Sequence, residues 1–392
     1  MKLKIKLLSI VLISALFVIS CDDFTEIDPP VQNNASGSAN FARYVSIGNS
    51  LTAGYQSSSL YQSSQEYSYP NLIAKQVGLA SFEQPLISDP GIGGQIKIVN
   101  PDPNNFITMQ EPVQGGSPLN LNYPAPYNNL GIPGIVLGDV MNSTTTAGSF
   151  SKSVFIDIIL RGQGTQFAQA NALHPTFITL WIGNNDVLGF ATSGGAKPTS
   201  PTPSDAFANW FTQLSDGLAA TGAKVVMANI PNVTDIPFFT TIGPVFGGQL
   251  NALNVPAFYY QSGAYAPTIG TPALLINKSL LLTLISKPYL AYFGRQSGKF
   301  YRDNNIPPAA VGVDTTQPFG SQGNPIPNAL VLDASEIQIA ANSTNDFNTN
   351  ISAAITKYPT QFALVDMNSV FSAIATSGAK YNGINFTIKE GT

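Results

Sequence analysis

Residues Tyr44–Tyr55 read YVSIGNSLTAGY, and this stretch decides the fold class. An apolar run, Tyr44, Val45 and Ile47, stops at Gly48. Ser50 follows, and the segment after it suits the opening of a helix. This is the layout of a strand that delivers a hydroxyl nucleophile to the loop at its carboxyl end. Open α/β sheets bind ligands at that edge. Ser50 is therefore the first candidate for a reacting atom.

Outward from this stretch, the same pattern recurs. Thr176–Ile182 (TFITLWI) is continuously apolar, as a strand buried on both faces is. Lys224–Ile230 (KVVMANI) and Phe362–Met367 (FALVDM) read as further strands. Helical periods lie between them. Ser204–Thr221 puts Phe207, Trp210, Phe211 and Leu214 on one face, with Ser204 as its expected N-cap. Asp333–Lys357 reads as a long helix. The alternation predicts an α/β fold with a parallel sheet and helices on both sides.

Two stretches break the alternation. Residues 56–126, rich in Tyr, Pro, Asn and Gly, hold one short expected helix near Asn71–Val77. Residues 238–328 hold one apolar helical piece, Pro272–Leu290. Loops this long are uncommon unless functional, so both insertions are expected to roof the site. Gly91–Gly94 (GIGG) lacks the Lys, the Ser/Thr pattern and the preceding strand of a phosphate loop, and reads as a turn.

Composition narrows the function. Charged residues make up 10% of the 392, against about 25% in typical domains. The net charge is -4 and no basic cluster follows the N-terminus, which argues against nucleic acid as a partner. With one His and one Cys, no set of residues has metal-ligand spacing, and no cofactor is expected. Residues 1–20 combine Lys2, Lys4 and Lys6 with an apolar stretch from Leu7 to Ile19, too short to span a bilayer. Val18-Ile19-Ser20-Cys21 looks like a bacterial lipobox, so Cys21 is the expected site of lipidation. Residues 21–40 read as a flexible tether. This places the protein at a cell envelope, on the outer membrane of a Gram-negative bacterium, facing periplasm or cell surface.

Gly48-Asn49-Ser50-Leu51 resembles the first block of the SGNH or GDSL hydrolases, with Asn49 where the usual motif has Asp. Asn129–Gly134 (NLGIPG) resembles the second block, and Gly183-Asn184-Asn185-Asp186 the third. The three stand in family order, each at or just after an expected strand. The likeness is to the bacterial lipoprotein-type GDSL esterases and acylhydrolases. It implies a three-layer α/β/α sandwich of flavodoxin-like type over residues 41–392. It implies a serine esterase whose substrate is a lipid, a short acyl ester or an acetylated glycan. Ser50 would attack, and Ser50 N–H, Gly134 N–H and the Asn185 amide would receive the oxyanion.

The resemblance also implies a C-terminal Asp-x-x-His block whose histidine activates the serine. His174 does not fit. It precedes TFITLWI, and about ten residues of extended chain at roughly 3.3 Å each put it at the opposite sheet edge from Asn185. Asp333-Ala-Ser-Glu336 has the spacing of a capping box, and Asp366 reads as the cap of a helix over Asn368–Ser377. After that helix comes Tyr381–Thr392. The expectation is that the missing block lies beyond Thr392 and that the 392 residues alone are nearly inactive. The alternative is a non-catalytic surface lipoprotein that binds glycan or lipid.

Overall fold

The computed structural model describes residues 37, 39–100, 107–110, 115–197, 199–263 and 266–386. Cys21, the leader and most of the tether lie outside these residues. Residues Asn40–Thr392 form one compact unit. Its centre is a parallel sheet of four strands: β1 (Tyr44–Gly48), β2 (Phe177–Trp181), β3 (Lys224–Ala228) and β4 (Phe362–Val365), in the order β1-β2-β3-β4. The α/β class read from the sequence is the class observed.

The register brings the chemistry-bearing loops to one edge. Gly48 of β1 lies opposite Trp181 of β2, so the loops carrying Ser50 and Asn185 leave the sheet side by side. The NLGIPG segment joins them as a partial fifth strand on the free edge of β1. Ser46 N–H donates to Asn128 O at 2.8 Å, Leu130 N–H to Ser46 O at 2.9 Å and Ile132 N–H to Gly48 O at 3.0 Å. The Gln166 amide, on the helix Gln166–Ala172, donates to Gly48 O and Leu130 O and clamps the two segments together.

Alternation along the strands divides the side chains. Val45, Ile47, Ile178, Leu180, Val225 and Met227 share one face and are buried. They belong to a core with Phe207 and Phe211 of the helix Ser204–Ala220 and Phe347 of the helix Ala334–Lys357. Tyr44, Ser46 and Thr179 lie on the other face. Their hydroxyls form a closed triangle of 2.9 Å contacts, so these buried polar groups are paired with one another.

Short helices start where strands stop: α1 (Ser50–Ala53) after β1, α4 (Asn184–Thr192) after β2 and α8 (Met367–Ser377) after β4. Between them run α2 (Leu137–Asn142), α3 (Gln166–Ala172), α5 (Ser204–Ala220), α6 (Pro237–Ala252) and α7 (Ala334–Lys357). Asp333 and Glu336 form the expected capping box at the start of α7, and Asp366 caps α8. Ser204 is not the cap of α5. Pro203 holds that position, and the Ser204 hydroxyl instead donates to Asp346 at 2.8 Å, tying α5 to α7. Phe207 of α5 stacks on Phe347 of α7 with centroids 3.8 Å apart.

The insertions depart most from expectation. Pro272–Leu290 is not one helix. The helix Pro272–Ile276 ends where Lys278 turns left-handed (φ 65). Leu281–Leu282 then pairs antiparallel with Val331–Leu332, and Lys287–Leu290 is a separate turn. The long helix of this insertion is α6, whose Gly243, Pro244, Gly247 and Gly248 read as breakers. Gly247 serves a close helix contact: a Cβ there would stand 2.8 Å from Pro272 O. The second insertion has a core of its own, built on residues such as Phe246, Phe258, Leu275, Phe300, Tyr301 and Ile326. The first holds the helix Tyr69–Gln76 and a hairpin of Ile96–Asn100 with Ile107–Gln110. It lies beside β1, where Phe82 stacks on Tyr44 at 5.1 Å.

The contact between NLGIPG and α1 tolerates no side chain at Gly131. A Cβ there would stand 2.3 Å from Ala53 N and 2.6 Å from Thr52 C, both backbone atoms. Gly131→Ala is expected to cost about 1–3 kcal/mol, the range for overpacking a core. The urea unfolding midpoint measures it, and an unchanged midpoint would show that the contact is loose.

Candidate active site

Three consecutive residues at the head of α4 organise this edge. The Asn184 side-chain oxygen accepts from Asn49 Nδ2 at 2.9 Å. Asn185 Nδ2 donates to Ile135 O at 2.8 Å. Asp186 accepts from Leu137 N–H at 2.9 Å and from the Thr202 hydroxyl at 2.7 Å. One turn of helix therefore binds the Ser50 loop, the segment after Gly134 and the start of α2.

This geometry explains Asn49. It is fully buried, its side-chain oxygen accepts from Leu51 N–H at 3.1 Å, and its amide donates to Asn184. An ionised Asp accepts only and could make the second bond only if the Asn184 amide turned its NH2 toward it. Ser50 follows as the first residue of α1. Gly134 adopts φ 83, a conformation that side chains resist.

Ser50 and Asn185 line one cavity of about 150 Å³. Its other polar lining is Asn184 and Asn232; Leu51, Leu188, Pro231, Val233, Ile236 and Phe371 make the rest apolar. The Asn185 amide has two N–H donors, of which the bond to Ile135 O uses one and fixes the orientation of the other. Gly134 is not among the lining residues. It is linked to the cavity through its neighbour Ile135, which Asn185 holds. Neither insertion contributes a lining residue, so the expectation that both roof this site is not met: one lies beside β1 and the other folds around a core of its own.

No imidazole reaches Ser50. The sequence has one His. His174 stands just before β2, where its carbonyl accepts from Arg43, at the edge opposite Asn185. Glu336 and Asp333 are engaged in capping α7, and Asp366 in capping α8. A carboxylate that sequence reading missed is Asp235, next to the lining residue Ile236. It is half-buried and accepts from Asn232 Nδ2 at 3.3 Å and from the Ser372 hydroxyl at 2.7 Å. The available signal was its position in the loop that follows β3 at the ligand-binding edge. Among the described residues, no group of three or more His, Cys, Asp or Glu is placed to hold a metal ion.

No protein-family model, curated protein or solved structure matches the chain.

Burial pushes the Asp186 carboxyl up to about 7, against the lowering effect of the bonds from Thr202 and Leu137. Burial likewise raises Glu336 to about 7. The folded protein therefore holds these protons more tightly than the unfolded chain does. The stability they confer is full below the ordinary carboxylate range and is lost as pH rises through about 7. The urea midpoint is expected to be lower at pH 8 than at pH 5. Asp186→Asn should shrink that difference and also weaken the fold at both pH values, since an amide oxygen replaces only one of the two acceptors. An unchanged pH dependence would show that Asp186 ionises normally.

Proposed function

We propose that this protein is a serine ester hydrolase of the SGNH type, built on a flavodoxin-like three-layer α/β/α sandwich. The observation that carries the reading is that Ser50 and Asn185, from the ends of adjacent strands, line one small and mostly apolar cavity. Ser50 Oγ attacks the acyl carbonyl, and the cavity takes the acyl group. The developing oxyanion is received by Ser50 N–H, Gly134 N–H and the free N–H of Asn185. Donors fixed before the reaction cost nothing to reorganise, and each is worth roughly 100- to 1000-fold in turnover. A cavity of about 150 Å³ suits acetyl or butyryl groups better than long acyl chains.

The base that this reading needs is not supplied by His174, which sits at the wrong edge of the sheet. The 392-residue polypeptide is expected to retain only the residual catalysis of an oxyanion hole without its base. The second reading, a binding protein on the same scaffold, is favoured by that same lack of a base beside Ser50. The lipobox-like Val18-Ile19-Ser20-Cys21 supports anchoring of the protein to a bacterial membrane through acyl chains on Cys21, and more than one chain is needed for stable anchoring.

Two experiments test these assignments. Hydrolysis of p-nitrophenyl acetate and butyrate by the 392-residue polypeptide is expected to be slow, to rise when imidazole is supplied as an external base, and to vanish in Ser50→Ala. Equal rates for the two proteins, with and without imidazole, would sink the hydrolase and leave the binding reading. Labelled palmitate should be incorporated in a bacterial host and lost in Cys21→Ala; labelling that survives would remove Cys21 as the anchor.

A further inference from the structure

A second cavity, of about 450 Å³, shares no lining residue with the Ser50 cavity. Phe300, Tyr301, Ile306 and Val311 of the second insertion line it, with Glu336 of α7 and Gly195, which lies just past the end of α4. Its volume falls in the ordinary range of small-ligand pockets. Among the described residues, Glu336 carries the one carboxyl group of this lining, and no Lys, Arg or His belongs to it.

Glu336 is 8% exposed, and its two carboxyl oxygens differ. Oε2 accepts from Asp333 N–H at 2.9 Å, closing the capping box. Oε1 lies against Gly195, where a Cβ would stand 2.4 Å from it. It has no hydrogen-bond partner among the described residues, yet it is not among the enclosed unpartnered atoms. It therefore keeps open surface, and the space that Glu336 borders is this cavity. The other polar side chains of the wall offer an occupant nothing. The Asn328 amide is spent on Gly194 O and Gly263 N–H. The Gln261 oxygen accepts from Asn328 N–H at 3.4 Å, and the Gln261 nitrogen and the Tyr301 hydroxyl are enclosed.

One open carboxylate oxygen in an otherwise apolar and aromatic wall selects the occupant. A buried carboxylate is costly unless a positive group pairs with it. Here burial and the charge of Asp333 both raise the Glu336 carboxyl, and only the Asp333 N–H bond lowers it. An anion would meet two carboxylates and no cation. An ammonium group would supply the missing charge and donate to Oε1, and a charge-assisted bond of this kind is about twice as strong as a neutral one. Phe300, Ile306 and Val311 then cover an apolar body, and the Phe300 ring adds the attraction of an aromatic face for a cation. A bare metal ion finds no second carboxylate on the wall to share its charge. We propose that this cavity binds a small organic amine as its ammonium ion, with the charge on Glu336 Oε1 and an apolar body against Phe300.

Saturation-transfer-difference NMR on the 392-residue protein at pH 8 tests this, with 2-phenylethylammonium as the probe. Glu336 is mostly ionised there and the amine stays charged. Two isosteres of the probe, neutral 2-phenylethanol and anionic phenylacetate, serve as controls. The ammonium ion is expected to bind saturably at millimolar concentrations, and each control at least about tenfold more weakly, the equivalent of one hydrogen bond to a charged group. Glu336→Gln should weaken the ammonium ion by a similar factor and leave the fold intact, since Gln also closes a capping box. Ser50→Ala should bind as the wild type does. No saturable binding of the ammonium ion would overturn the proposal, and so would equal binding of 2-phenylethanol, which needs no variant to measure. Undiminished binding in Glu336→Gln, or binding lost in Ser50→Ala, would overturn it as well.

Discussion

The site rests on one turn of helix. Asn184 holds Asn49 before the serine, Asn185 and Asp186 hold Ile135 and Leu137 of the single segment that runs from Gly134 into α2, and Asp186 also holds Thr202. These partners are buried or half-buried, where an unmade hydrogen bond costs more than a made one gains. These segments therefore cannot move independently. The pairing of Gly48 with Trp181 sets how far each strand reaches, and the turn then locks the segments that leave the sheet. The oxyanion hole proposed here would require positioning to fractions of an ångström, and the sheet alone does not supply it.

The sheet itself was legible because local and global signals agree there. Short continuous apolar runs rich in β-branched and aromatic residues, such as TFITLWI, suit strands covered on both faces. The capping box at Asp333 and Glu336 is a short-range pattern with one geometric solution. The second insertion was not legible, for a physical reason. The glycines and the proline of α6 argue against a helix in isolation. In the fold they allow the close approach of Gly247 to the Pro272 helix, and tertiary contact outweighs propensity. Likewise Leu281–Leu282 finds its partner at Val331–Leu332, about fifty residues away in sequence, and no local pattern announces such a pairing.

The candidate site was legible in its donors and not in its walls. Ser50 and Asn185 stand next to strand ends, so strand prediction placed them. The departure at Asn49 was visible as a difference, but its meaning came only from geometry: an amide can accept from Leu51 and donate to Asn184 at once. Asn232 and Val233 come from the segment after β3 and Phe371 from α8, and only the three-dimensional order of β2, β3 and β4 brings them to Ser50.

The two halves of the sheet are covered unequally, and this bears on where a base can stand. On β1 and β2 nearly every side chain is buried, whereas on β4 Leu364 and Val365 are 41% and 42% exposed, and Val370 of α8 is 46% exposed. A parallel strand is normally buried on both faces, so β4 is unusual in this fold. The cavity lies across the boundary. Ser50 and the donors belong to the closed half, and Phe371 reaches the cavity from α8 and meets Trp181 edge-on at 6.5 Å. A proton acceptor must come within hydrogen-bond reach of Ser50 Oγ, about 2.6–3.2 Å, to act. Among the described residues the closed half offers no such group, since its buried carboxyl groups are spent: Asp186 on Leu137 and Thr202, and Asp139 on Ser143 and Phe150. On the proposed hydrolase reading, a base would have to approach from the β4 and α8 side, where the cover is thinnest. The proposed nucleophile and oxyanion donors would then be held by one set of contacts and the base by another.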